Sequence, residues 1–441
     1  MQTRFFFLAG LLGITTLTTQ AQQLNTAKLD SLLTTLGAHN KLMGSVMLSQ
    51  NGKVLYSKAV GYAQLDGATK VPTTADTRYR VGSLTKMFTA TMIMQLIEER
   101  KLTLATPLAT FFPQLPNAKT ITIDQLLSHR SGLHDFAAGG AELGHKTPAE
   151  MVTILSKTTP DFEPGAKFAY SNSNYVVLGY ILEKLTKQPY AQALQKRIVA
   201  RAGLQHTYYG GKIDPAQQEA FSYERNGAGW KLGPETDMSV PGGAGAIVST
   251  APDINRFLEA LFGGKLVTAA SLKEMETVRD KFGRGLIELP FNSHASYGHG
   301  GIIDDFRMMA SYFPAEKLAL VVCSNSGPGS IDDVTVGMLS IYFNQPYRIP
   351  TFVVNTFAPT PADLDRYAGS YASTQLPLKI TMTKDGTTLK AQATGQSAFP
   401  LEPVSQGIFK FDQAGVRVEF DPTKAAFTLK QGGKEYSFTK E

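Results

Sequence analysis

Apolar positions follow two different rhythms in this chain, and the change between them falls near residue 350. Before it, short alternating runs are mixed with longer helical ones. Residues 45–49 and 54–57 read as two strands around Asn51-Gly52, a pair whose tolerance of positive φ suits a tight hairpin turn. A helix over 25–36 precedes them, and a second begins near Ser83 and runs to about Arg100. In the second helix Met87, Phe88, Met92, Ile93, Met94, Leu96 and Ile97 fall nearly all round the axis, which marks a helix enclosed by a domain rather than lying on it. Residues 123–127 read as a short helix and 174–186 as a longer one with Val176, Val177, Tyr180, Ile181 and Leu185 on one face. Residues 308–313 and 318–323 read as adjacent strands joined by Pro314-Ala315-Glu316-Lys317. Strands at both ends with helices between them predict an antiparallel sheet closed by the two ends of one α+β domain.

Beyond a linker over 351–361, alternating runs dominate from residue 362 onward. Leu378, Ile380 and Met382 alternate, as do Val416, Val418 and Phe420, Phe427 and Leu429, and Tyr436 and Phe438. Turn signals at Lys384-Asp385-Gly386, Ala414-Gly415, Asp421-Pro422 and Gly432-Gly433 separate them, which predicts a small all-β barrel-like domain over 362–441.

The first residues follow neither rhythm. Arg4, the apolar run 5–12 with Ile14, and Thr19-Gln20-Ala21 fit a signal peptide over 1–21, which leaves 22–350 for the larger domain. No other stretch approaches the ~20 apolar residues that span a bilayer, so the expectation is an exported protein, periplasmic or secreted, without a transmembrane anchor. Charge adds little: 43 Lys+Arg against 37 Asp+Glu are spread evenly, with no basic cluster for a nucleic acid. The single cysteine, Cys323, falls in an apolar strand and reads as a buried small hydrophobe. It can form no internal disulfide, and no Cys/His cluster points to a metal or cofactor. His129 and His134 are five apart, off the i,i+4 spacing of a helical metal pair. Asp304-Asp305 is assigned to a turn or a cleft wall.

Three short segments carry candidate chemistry. In Ser83-Leu84-Thr85-Lys86, positions i and i+3 share a helix face, so a hydroxyl and an ammonium can meet at the helix start, where free N–H groups favour a developing negative charge. Burial would draw the lysine towards neutrality, as a base for the serine requires. The alternative is a serine cap followed by a solvated lysine. Tyr170-Ser171-Asn172, after the turn Pro164-Gly165, could point a proton relay and an amide into one cleft, or could be a turn with an asparagine cap. His299-Gly300-Gly301 precedes a strand, where glycines let backbone approach a ligand and offer an N–H, or simply form a glycine-rich turn with a surface histidine.

In this order, Ser83-x-x-Lys86, Tyr170-x-Asn172 and His299-x-Gly301 resemble the three motifs of the penicillin-recognising serine hydrolases, most closely the branch of class C β-lactamases, DD-carboxypeptidases, D-aminopeptidases and related esterases. Residues 122–133 resemble the family's LLxHxSGL segment, 164–179 its PGxxFxYSNxxYxxLG stretch, and 242–253 its GGxxSTxxD element. The resemblance covers about residues 25–345. It implies a two-lobed fold, an antiparallel sheet with flanking helices beside a helical subdomain, and an acyl-enzyme mechanism. Ser83 would be the nucleophile, Lys86 its base or relay, and Tyr170 the proton shuttle. Asn172, His299, Gly300 and Gly301 would bind substrate, and the backbone N–H groups of Ser83 and Ile302 would form the oxyanion hole. No Gly-x-Ser-x-Gly elbow is present, which argues against an α/β-hydrolase.

One departure stands out. The class C enzymes carry Lys-Thr-Gly where this chain has His-Gly-Gly, so a β-lactam carboxylate would lose its threonine hydroxyl. An ester, an amide or a D-amino-acid peptide of small size, including one derived from the cell wall, is the expected partner. The competing expectations are a sensor that acylates without turnover and a weak β-lactamase. The C-terminal module is similar to barrel-like modules of some aminopeptidase-type relatives.

Overall fold

Two segments far apart in the chain lie side by side at the centre of the larger sheet. The computed structural model describes residues 24–67, 69–138, 144–226, 229–327, 331–352, 357–396, 398–411, 414–421, 423–431 and 434–441. The expected leader lies outside the described residues, as do 353–356 of the expected linker and the turn residues Pro422 and Gly432-Gly433. The described chain divides into two compact units, one ending at Pro350 and one beginning at Thr351.

The first unit holds a six-stranded antiparallel sheet in the order Ile287–Glu288, Tyr297–Ile303, Phe306–Phe313, Leu318–Ser324, Gly44–Gln50, Lys53–Val60. Gly44 pairs with Ser324 and Gln50 with Leu318, so the expected closure by both ends of the domain is present. Every residue of Leu318–Ser324, Cys323 included, is buried, which is why that run is continuously apolar rather than alternating. Tyr56 donates to Asp30 of the helix Thr26–Ala38, while Ser49, on the opposite face, donates to Asn255 and Glu259 of the helix Ala251–Phe262. Helices therefore cover both faces of the sheet.

The helix expected from Ser83 divides in two. Gly82–Leu84 forms a single 3-10 turn and the α-helix runs Thr85–Glu98. Gly82 has φ +52, which α-helix does not accept, so the regular helix starts after it. Residues 85 to 96 of this helix are all buried, and Phe88 stacks on Phe257 with ring centroids 3.8 Å apart. Each large apolar side chain so enclosed contributes about 1.5–3 kcal/mol. Thr89 donates to Gly243 O at 2.6 Å and Gln95 Nε2 to Leu266 O at 2.9 Å, whereas Gln95 Oε1 is buried without a partner among the described residues.

The helix Asn172–Thr186 begins two residues before the expected start at 174, with Ser171 in extended backbone at its N-cap. It crosses the short helix Gly242–Gly245 at two glycines. A Cβ on Gly243 would lie 2.6 Å from Tyr175 O and 3.0 Å from Gly179 Cα, so only glycines let the backbones pass this closely. This crossing brings Ala244 to the same buried helix that carries Lys86.

The second unit is a closed eight-stranded antiparallel barrel from Gly369–Ala372 to Lys434–Lys440, sealed by Tyr371↔Lys440 and Ala372↔Thr439. The all-β barrel expectation holds. Ile380, Met382, Val418, Phe427, Leu429 and Phe438 are buried as their alternation requires. The interior is packed by aromatics, with Phe427 stacked on Phe438 at 4.9 Å. Alternation does not begin at residue 362: Pro361–Asp365 is helical, started by Thr360 in a capping box with Asp363 and by proline at the first turn. Among the described residues no helix is long and apolar enough to cross a membrane.

Gly243→Ala should lower the unfolding free energy by about 1–3 kcal/mol, because a methyl is forced against backbone. Gly211→Ala, whose Cβ meets open space, should leave it within about 0.5 kcal/mol. Denaturant midpoints at constant m-value would separate the two, and equal midpoints would show that the crossing tolerates a side chain.

Candidate active site

A lysine that cannot reach water dominates the chemistry of the first unit. Lys86, on the first turn of the buried helix, is 0% exposed, so the reading of a solvated lysine is excluded. Its Nζ donates to Ser83 Oγ at 2.9 Å, Asn172 Oδ1 at 2.9 Å and Ala244 O at 2.8 Å. Burial pulls the ammonium down to about 7, and the Asp135 carboxylate opposes the shift. Two of the three partners can only accept. When the amine is neutral, Asn172 Oδ1 and Ala244 O keep its two N–H bonds, and the lone pair is left directed at Ser83.

The Asn172 amide cannot turn round to spoil this arrangement. Asp135 accepts from Asn172 Nδ2 at 3.1 Å and from the Asn172 backbone N–H at 3.2 Å, which holds Oδ1 towards the lysine. One hydrogen of Nδ2 remains for another acceptor.

Tyr170 completes the contacts of the serine, donating to Ser83 Oγ at 2.9 Å. Burial pushes its phenol well above the usual value, so it is protonated at neutral pH. Its ring lies on that of His129, centroids 4.3 Å apart and 25° from parallel, and Lys86 Nζ sits 4.9 Å from the Tyr170 ring centre. His129 is buried, with Nδ1 accepting from Ser171 N and Asn174 Nδ2, both at 3.2 Å. Burial first, then the nearness of Lys86 and His299, hold it well below the ordinary histidine value. It is a neutral platform under the tyrosine.

His299 is not a surface histidine. It is 4% exposed, and burial with the Lys86 charge takes it down to about 3. Nδ1 donates to Gly300 O at 2.5 Å, which leaves Nε2 as an acceptor, and the ring centre is 6.3 Å from that of Tyr170. The third motif thus offers neither a cation nor a hydroxyl.

The strand Tyr297–Ile303 is paired along its length with Phe306–Phe313, but on its other edge Ile287–Glu288 reaches only Tyr297 and Gly298. From His299 onward that edge meets the turn carrying Ser83. A Cβ on Gly301 would lie 2.1 Å from Val81 O, and one on Gly82 would lie 2.7 Å from Ile302 O and 3.0 Å from Ile302 N. Both glycines are explained by backbone running against backbone. Ile302 points its side chain outward, 65% exposed, while its N–H lies beside Gly82.

The structure therefore gathers Ser83, Lys86, Tyr170 and Asn172 into one hydrogen-bonded set, with His299 behind Tyr170 and the Gly301-Ile302 backbone beside Gly82. Gly300, half-buried, contributes its carbonyl to His299. Asp304 stays out of this set and pairs with Arg80 at 3.0 Å. Sequence reasoning missed Asp135 and the Ala244 carbonyl, and weighed His129 only as a metal ligand. Asp135 is 37 residues from Asn172, and no spacing rule links them. Among the described residues no group of three or more His, Cys, Asp or Glu could hold a metal ion.

A sheet flanked by helices, with a serine and a buried lysine one helical turn apart, defines a serine hydrolase of the penicillin-recognising type. The family model described as Beta-lactamase matches residues 29–337, and the chain belongs to that family. Penicillin-binding protein 4* of Bacillus subtilis (strain 168) is 27% identical over 440 residues, which cover 92% of this chain and 97% of the relative. Teichoic acid D-alanine hydrolase of Staphylococcus aureus (strain NCTC 8325 / PS 47) is 26% identical over 264 residues, 58% of this chain and 65% of the relative. The crystal structure of D-amino acid amidase from Ochrobactrum anthropi SV3 complexed with L-phenylalanine amide aligns with a TM-score of 0.64 at 28% identity, covering 72% of this chain and 98% of that one.

The lysine sets a stability prediction with a definite sign. Its folded value, about 7, is below the ordinary lysine value of about 10.4, so between these pH values the unfolded chain binds more protons and stability rises with pH. The unfolding free energy of the wild type should gain on that of Lys86→Met by about 1.4 kcal/mol per pH unit between pH 7 and 10. Urea titrations at pH 7, 8 and 9.5 would read this, and a pH-independent difference would mean that Lys86 is buried charged.

Proposed function

We propose that the protein is an exported serine hydrolase in which Ser83 forms an acyl-enzyme with ester, amide or D-amino-acid peptide substrates. The observation that carries this is Ser83 Oγ held 2.9 Å from Lys86 Nζ and 2.9 Å from the Tyr170 hydroxyl, with the lysine drawn down to about 7.

Neutral Lys86 takes the proton of Ser83 as Oγ attacks the substrate carbonyl carbon. The negative oxygen of the tetrahedral intermediate is received by the backbone N–H groups of Ser83 and Ile302. Collapse breaks the C–O or C–N bond, and the leaving group takes a proton relayed from Lys86 by way of the Tyr170 hydroxyl. Water, deprotonated along the same route, then attacks the Ser83 ester and releases the acid, restoring the serine hydroxyl. Tyr170 acts as a phenol throughout, because burial disfavours phenolate. Asn172 orients the lysine with Oδ1 and keeps one N–H of Nδ2 for the acyl group.

The relatives support the substrate class. They are named as a D-amino acid amidase, a teichoic acid D-alanine hydrolase and a penicillin-binding protein. The neutral, buried His299 supports small esters and D-amino-acid amides over β-lactams, since it supplies no charged partner for a carboxylate. Export rests on the leader-like segment 1–21.

A fluorophosphonate probe should label the wild type and leave Ser83→Ala unlabelled. Short-chain p-nitrophenyl esters and D-alanyl peptides should be turned over by the wild type, with Ser83→Ala and Lys86→Ala each reduced by about a thousandfold or more. The rate of acylation should rise with pH through a midpoint near 7, because the neutral amine is the base. Turnover by Ser83→Ala would overturn the reading, and wild-type labelling without product release would replace it with the sensor.

A further inference from the structure

The Ser83 turn and the strand bearing Ile302 press together through glycines, yet among the described residues no backbone hydrogen bond joins Val81–Leu84 to His299–Asp304. Van der Waals contact sets a minimum separation but holds it only weakly and without direction against outward movement. The polar link across this gap lies just outside the site. The side chains of Arg80, three residues before Ser83, and of Asp304, two residues after Ile302, are 2% and 0% exposed. Arg80 Nη1 donates to Asp304 Oδ2 at 3.0 Å.

Each partner is fixed from other directions. Arg80 Nη1 also donates to Thr236 O at 2.8 Å, and Nη2 donates to Gly211 O and Glu235 Oε1, both at 2.9 Å. The second Asp304 oxygen accepts from Thr236 N at 3.0 Å and Thr236 Oγ1 at 2.6 Å. The Arg80 backbone is paired with Val248 in a small sheet, and Asp304, with φ +51, forms the hairpin turn between Tyr297–Ile303 and Phe306–Phe313. The planar guanidinium is thus locked to one side of the gap, and the carboxylate to the tip of the hairpin on the other.

We infer that the Arg80–Asp304 ion pair is a positioning device that fixes the spacing between the Ser83 and Ile302 backbone N–H groups. The inference rests on the acyl-enzyme reading above. Neither residue touches substrate or Ser83; they act through the main chain. An oxyanion site is sensitive to such spacing because both donors must sit near 2.7–3.1 Å from one oxygen.

The test compares an ester with its thionoester in Arg80→Lys and Asp304→Asn, each confirmed folded by its melting transition. Sulfur is larger and a poorer acceptor, so a well-spaced pair of donors favours oxygen and a loosened pair loses that preference. The expected result is a fall in ester kcat of about tenfold or more, with KM within about threefold and a smaller loss for the thionoester. The acid limb of the pH profile should stay in place, because the pair does not contact Lys86. Thr236→Val, which removes one hydrogen bond to Asp304, should move the same ratio less far and serves if the other two variants do not fold. Asp304→Glu, which keeps the charge, should retain more ester activity than Asp304→Asn. Folded variants with wild-type ester turnover, or with ester and thionoester reduced by equal factors, would overturn the inference. Ser83→Ala run alongside separates the two failures: turnover without Ser83 defeats the acyl-enzyme reading, whereas a dead Ser83→Ala beside a fully active Asp304→Asn defeats only the positioning role.

Discussion

Everything in the larger unit is arranged around an amine held away from water without an ion-pair partner among the described residues. A lysine in that position is tolerated because each of its hydrogens has an acceptor and because the amine can shed its charge. Those acceptors come from three separate parts of the chain. Ala244 is delivered by a glycine crossing between helices, Asn172 is oriented by Asp135, and Ser83 is placed by a turn that only glycine at position 82 allows. Loss of any one would change the proton affinity of the Lys86 amine.

The electrostatics around this centre are kept simple by burial. His129 and His299 lie close enough to feel the lysine, yet both are held neutral through the physiological range, and Tyr170 is held as a phenol. One group is therefore left to titrate near pH 7. His129 is stacked on the Tyr170 ring, and the His299 ring centre lies 6.3 Å from it.

Much of this was legible from the residues. The apolar girth of the helix after Ser83 announced its burial, the pairing of the first and last strands followed from their patterns, and the motifs marked which serine, lysine, tyrosine and asparagine would meet. Contacts made by groups with no sequence signature were not legible. Ala244 contributes a carbonyl, which every residue has. Asp135 acts through an amide 37 positions away, and Asp304 faces Arg80 across 224 positions. Local rules describe neighbours along the chain, and these partnerships exist only once the fold has formed. The helix at Pro361–Asp365 is the opposite case: its capping threonine and its proline are plain in the sequence, but five residues are too few to set a helical period against the alternation that follows.

The pairing of Gly44–Gln50 with Leu318–Ser324 has a consequence in time as well as in space. A chain emerging from the ribosome must carry its first central strand unpaired on one edge through most of the unit's synthesis. Contacts of such sequence separation form late and slowly, because the intervening chain must be ordered first. Ser83 and Lys86 meet within one helical turn, but the strand that brings Ile302 beside them belongs to the same late sheet. Ser83 and Lys86 are thus neighbours along the chain well before the strand carrying Ile302 can take its place in the sheet.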